Sequence, residues 1–259
     1  LENLYQELGT MADEILSKEC ELDIVEASWI REYKASSRIP MENSFKLKGQ
    51  IHELIDRIDQ LINNTEFTPL YCPKAKLFSI GYNVEEEQLT KSYYDLMASE
   101  ARQASFIAIA RGEVKQEHWL MLDRTLTIVD REMGLVSWTG TMFEYLMPLL
   151  LMKSYTKTLW EQTYKFVIKC QRDYGRKRKV PWGVSESGYF SFDYRLNYQY
   201  KAFGIPNLGL KRGLINDTVI SPYSTLLALG VDPKAAVENM RNLIKAGLEG
   251  QHGFYEAAD

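Results

Sequence analysis

The chain has 259 residues, 45% apolar and 25% charged, with a formal net charge of −4. That length can bury a substantial core in one large domain or two small ones, and the charge balance gives no electrostatic reason to expect a nucleic acid partner. Cys20, Cys72 and Cys170 are widely spaced with no CxxC pair, which excludes a disulfide framework and a cysteine-rich zinc site and points to a reducing compartment.

In chain order, residues 1–35 read as a helix, because Leu4, Leu8, Met11, Ile15 and Leu22 recur near a 3.6-residue period with charges between them. Ser36-Ser37-Arg38-Ile39-Pro40 reads as a break. Gly49 to Asn64 is a second amphipathic helix, with Ile51, Leu54, Ile55, Ile58, Leu61 and Ile62 on one stripe. These helices are packing elements, and residues 1–66 form an N-terminal helical segment to which no chemistry is assigned.

From Phe67 to Val84 the character changes. Pro69, Pro73 and Gly81 surround the strand-like Leu77-Phe78-Ser79-Ile80, which predicts a small hairpin or an extended arm. Tyr93 to Ala110 is apolar on several sides and is expected as a long buried helix. Further helices are predicted over Gln116–Thr125, Thr141–Leu151 and Tyr155–Tyr174, the last ended by Gly175. The basic run Arg176-Lys177-Arg178-Lys179 abuts Pro181 and reads as a solvated loop. Ser221-Pro222 opens a helix to Leu229, and Asp232-Pro233 opens another that Gly247 stops. The order is helix, glycine-rich loop, helix, with polar and aromatic residues gathered in the loops. A helical toroid around a cleft floored by loops uses that pattern best, ahead of a plain bundle.

Chemistry gathers in three clusters. Val180-Pro181-Trp182-Gly183-Val184-Ser185-Glu186-Ser187-Gly188-Tyr189-Phe190 sets one carboxylate among small residues and flat aromatic rings. Ser137-Trp138-Thr139-Gly140-Thr141-Met142-Phe143-Glu144-Tyr145 is a second cluster of this kind. Asn197 to Lys201 runs into the glycine turns of Gly204 to Gly213 as a third. Aromatic faces suit sugar rings, and cleavage of a glycosidic bond needs one protonated carboxyl and one carboxylate. Glu186 leads as general acid/base, because Trp182 or Tyr189 could desolvate it and raise its pKa. Glu144 is a candidate for catalysis or binding, and Glu256 and Asp95 are weaker candidates. Tyr94, Trp138, Trp182, Tyr189, Tyr198, Tyr200 and Lys201 are candidate substrate-binding residues. His52, His118 and His252 show no metal-ligand spacing, and carboxylate chemistry requires neither a metal nor an organic cofactor, so none is expected.

Ser99-Glu100-Ala101-Arg102, the stretches around Glu144 and Glu186, Tyr198 to Gly213, Val219-Ile220-Ser221-Pro222-Tyr223 and Gly253-Phe254-Tyr255-Glu256-Ala257 occur in this order. Together with Leu77 to Asn83 they resemble the glycoamylase-like domain of bacterial cyclic β-1,2-glucan synthases, from about residue 67 to the end. The resemblance implies a mainly α, (α/α)6 toroid-like domain over 67–259 that acts on β-1,2-glucan by transglycosylation and closes the ring. It also raises Glu100 as the nucleophile or electrostatic partner of Glu186. An endo-β-1,2-glucanase and a non-catalytic glucan-binding segment are the alternatives. The resemblance further implies other domains of the same large polypeptide as partners, and a bacterial inner-membrane protein with this domain on the cytoplasmic side. No window approaches the roughly 18–20 apolar residues of a membrane helix, so this piece is expected to make no membrane contact. The absence of an initiator Met and of a signal peptide, the end at Asp259 and the small number of predicted helices are read as an excised, incomplete part of such a toroid.

Overall fold

Two carboxylates three residues apart, Asp23 and Glu26, start the longest helix among the described residues. The Asp23 side chain accepts from the Val25 and Glu26 amides, and Glu26 reaches back to the Asp23 amide. The structure, a computed structural model, describes residues 2–17 and 23–259. The chain divides into two compact units, Leu1–Glu66 and Phe67–Asp259.

The first unit holds α1 (Glu2–Ser17) and α2 (Ile24–Asn64). The expected single helix over 1–35 is therefore divided, with α2 starting at its own capping box. The expected break at residues 36–40 is absent, because α2 runs through Pro40. A proline inside a helix removes one backbone donor, a local loss that the helical turns on either side span. Lys34 of α2 pairs with Asp13 of α1. Cys20 and Leu22 lie outside the described residues.

The second unit is mainly helical, with small antiparallel strand pairs. Its first hairpins join β1 (Tyr71–Cys72) to β2 (Leu77–Phe78) and β3 (Tyr82–Asn83) to β4 (Gln88–Leu89). The expected helix over Tyr93–Ala110 is confined to α3 (Arg102–Ala110). Residues ahead of it are drawn into non-local pairing, with the Met97 amide donating to the Asp123 carbonyl at 2.9 Å and the Asp123 amide to the Asp95 carbonyl at 2.6 Å. The expected helix over Gln116–Thr125 is limited to α4 (Glu117–Met121), and β5 (Leu126–Val129) and β6 (Glu132–Leu135) form a hairpin where no element is predicted.

The core forms around α6 (Leu159–Arg178), where Tyr164, Phe166, Val167, Ile168 and Gln171 are buried. Removing each large apolar side chain of this set from water contributes roughly 1.5–3 kcal/mol. The β5–β6 hairpin lies against this helix: a Cβ on Gly134 would come within 2.4 Å of the Phe166 ring. The helix continues past Gly175 because that glycine serves close packing, with Trp182 3.0 Å from where its Cβ would stand. Arg176, Lys177 and Arg178 thus form the last helical turn rather than a loop, and cations there complement the negative end of the helix dipole.

The remaining helices are α5 (Met142–Leu146), α7 (Pro222–Leu227) and α8 (Pro233–Lys245). Asp232 caps α8 by accepting from the Ala235 amide at 3.0 Å. Ser221 precedes α7 but makes no side-chain cap; its hydroxyl donates instead to the Ser185 carbonyl. The hairpin of β7 (Ser187–Phe192) and β8 (Tyr198–Lys201) replaces the irregular loops expected there, and β9 (Glu249–Gly250) and β10 (Gly253–Phe254) close the chain. Among the described residues, no helix is long and apolar enough to cross a membrane.

Candidate active site

The Ser137–Thr141 turn is set by glycines and one carboxylate. Gly140 has φ +75°, and a Cβ there would stand 2.7 Å from the Ile205 carbonyl oxygen. A Cβ on Gly204 would stand 1.7 Å from the Thr139 carbonyl oxygen, so the backbones of the second and third sequence clusters touch directly. Ser137 and Trp138 then pair with Leu208, Leu210 and Lys211 through backbone hydrogen bonds.

Glu144 organises this turn from within. It is 8% exposed, and its carboxylate accepts from the Ser137 hydroxyl at 2.6 Å, the Thr139 amide at 3.0 Å and the Thr141 amide at 3.1 Å. Thr141 returns the contact by accepting from the Glu144 amide, completing a capping box on α5. Arg102 ties the start of α3 to the end of α5. Its guanidinium donates to the carbonyls of Glu144 and Tyr145 at 3.1 and 2.8 Å and lies 3.8 Å from the Trp160 ring centroid.

Glu100 lies in the turn before α3. It lines a cavity of about 490 Å³ with Tyr93, Tyr94, Asp95, Trp138 and Glu144. Burial raises its pKa, and Glu144 adds to the rise, while the Ser99 hydroxyl and the Arg102 charge oppose it. Tyr94 is also raised, by burial first and then by Glu100.

Glu186 is carried by an extended segment pinned from several elements. Buried Gln171 of α6 exchanges two hydrogen bonds of 2.9 Å with the Val184 backbone. Val184 also bridges Ile220, and Ile220 bridges Ala258. The Tyr223 hydroxyl donates to the Glu186 carbonyl at 2.8 Å and lies 2.8 Å from the Ser185 hydroxyl. Burial pushes the Glu186 carboxyl up to about 7, with Glu100 and Glu144 adding to the rise and a hydrogen bond from Tyr200 opposing it. Glu100 and Glu144 therefore both act electrostatically on Glu186.

The expected binding residues divide. Tyr94, Trp138 and Tyr200 accompany the glutamates, and Trp138 is 59% exposed. Trp182 is instead buried in the core, where its backbone bonds Asn239. Tyr189 packs edge-on against Phe203 with ring centroids 5.1 Å apart, because strand alternation turns it away from the Glu186 side. Lys201 pairs with Asp217 and lines a separate hollow with Lys211 and Arg212, so it leaves the glutamates as well. Tyr198 lies over Gly188, and Glu256 accepts from the Gly188 amide at 2.7 Å. Asp95 lines the Glu100 cavity.

Tyr223 and Arg102 are positioning residues that stand in the motifs of the resemblance but receive no role from the sequence. The positioning role of Tyr223 is not legible in the sequence, because its partners stand 37 and 38 residues away. Among the described residues, no group of three or more His, Cys, Asp or Glu side chains is placed to hold a metal ion.

A mainly helical unit with acidic side chains gathered beside exposed aromatics has the makings of a carbohydrate-active domain. Residues 92–259, more than half of the chain, match the Glycoamylase family model, described as "Putative glucoamylase", and the chain belongs to that family. Over 213 residues it is 41% identical to cyclic beta-(1,2)-glucan synthase NdvB of Rhizobium meliloti (strain 1021), a match that covers 82% of this chain and 8% of that protein.

Proposed function

We propose that Phe67–Asp259 is the glucan-processing part of a cyclic β-1,2-glucan synthase and that it closes the ring by transglycosylation, within an (α/α)6 toroid. The observation that carries this reading is Glu186, a half-buried carboxyl pushed up to about 7 within electrostatic reach of a second carboxylate, Glu100. A carboxyl titrating there holds a proton near neutral pH and can give it to a leaving glycosidic oxygen. Glu100 stabilises or attacks the anomeric carbon. The Glu186 carboxylate then takes the proton from an incoming sugar hydroxyl as the new glycosidic bond forms. Glu144, whose oxygens are already engaged by the turn, positions the cleft. The relative's name supplies the linkage. Partner domains in one large polypeptide, and an inner-membrane setting with this domain on the cytoplasmic side, belong to the same reading.

Incubation with linear β-1,2-glucan, followed by mass analysis, tests the reading. Products one water lighter than linear chains are expected, and Glu186→Gln should abolish them. Shortened linear chains would establish hydrolysis instead, a second reading favoured by the partial exposure of Glu186. Binding without any bond cleavage would leave a glucan-binding segment.

A further inference from the structure

The β7–β8 hairpin exposes far more aromatic surface than its packing requires. Phe190 is 85% exposed, Phe192 48%, Tyr198 52% and Tyr200 65%. The strand turns Ser187 and Tyr189 into the unit, and a β-bulge between Tyr189 and Phe192 shifts the cross-strand register. The register places Tyr200 opposite Gly188 and Tyr198 opposite Phe192. Gly188 is needed there, because a Cβ would stand 2.3 Å from the Tyr198 ring. Phe192 meets Tyr198 at 5.8 Å and Phe190 at 5.7 Å between ring centroids. Exposed aromatics of both strands, Tyr200 and Tyr198 on β8 and Phe192 and Phe190 on β7, thus extend along the hairpin from the place where the Tyr200 hydroxyl meets the Glu186 carboxyl.

We propose that this aromatic surface is an extended sugar-binding platform that holds the glucan chain beyond the reacting linkage, with Phe190 and Phe192 as its outer contacts. The inference rests on the proposed function. Sugar rings present apolar C–H faces with hydroxyls at their edges, and amphipathic tyrosines followed by bare phenylalanines offer matching surfaces. Continuity with Glu186 favours a chain that also enters the cleft over a protein partner, which would cover the carboxyl. The platform contributes only to substrates long enough to reach it.

The test compares binding of a short and a long linear β-1,2-glucan to the 259-residue chain by calorimetry. Phe190→Ser/Phe192→Ser is expected to reduce the wild-type preference for the long glucan by roughly tenfold. Phe190→Tyr/Phe192→Tyr should restore it, which separates stacking from a folding defect. An unchanged preference in the serine variant would overturn the platform while leaving the proposed function intact. So would self-association through the hairpin that the serine variant abolishes without altering the preference. Wild-type protein that binds neither glucan would overturn both.

Discussion

Glu144 and Glu186 influence one another electrostatically yet have opposite surroundings. Glu144 receives hydrogen bonds from two backbone amides and a hydroxyl, whereas the Glu186 carboxyl has the Tyr200 hydroxyl against a larger cost of burial. Glu144→Gln replaces an acceptor with a donor that faces other donors. It should cost about 1–3 kcal/mol in urea unfolding. Glu186→Gln should behave differently. The folded carboxyl titrates near 7 and the unfolded one near 4.5, so the fold retains a proton that the unfolded chain has released. Its contribution to stability is full below about 4.5 and is lost as pH rises through about 7. The glutamine variant should therefore gain on the wild type over that interval, by about 1–2 kcal/mol after allowance for solvent screening. Parallel unfolding curves at pH values of about 4 and about 8, on either side of that interval, check the sign. In the same range wild-type activity should fall as the acid deprotonates.

At the scale of elements, the clusters depend on backbones that approach without side chains between them. Gly204→Ala places a Cβ against the Thr139 carbonyl and should destabilise the fold by about 1–3 kcal/mol, with activity falling as the Ser137–Thr141 turn shifts. Gly230→Ala, which meets nothing within 4 Å, should change stability by less than about 0.5 kcal/mol and serves as the comparison. These elements also show what a sequence discloses. The Asp232-Pro233 start of α8 is legible because capping is local chemistry, as is the carboxylate-and-glycine character around Glu186. The β5–β6 hairpin is not, since Asp130 and Arg131 make its turn at positive φ without the usual glycine or asparagine. Gly175 misleads because a glycine that permits close packing reads like one that ends a helix. The burial of Trp182 and the inward turn of Tyr189 depend on partners distant in sequence.

At the scale of the whole molecule, the two units differ in what they bury. Phe67–Asp259 encloses a contiguous core that includes Tyr145, Phe166, Ile205 and Leu243. Within Leu1–Glu66 the buried apolar side chains among the described residues are Ala12 and Ala27, while Leu47, Ile51, Leu54, Ile58 and Leu61 are each at least 45% exposed. Helical stability comes mostly from packing an apolar face, so α2 relies largely on local hydrogen bonds. Hydrogen exchange should therefore be slow in the middle of α6, requiring near-global opening, and fast by local opening along residues 47–61 of α2. Removal of residues 1–66 should leave a cooperative melting transition for the rest. Protection of α2 equal to that of α6 would show instead that its apolar stripe is covered in solution, and that burial of that stripe, rather than local hydrogen bonding, holds the helix together.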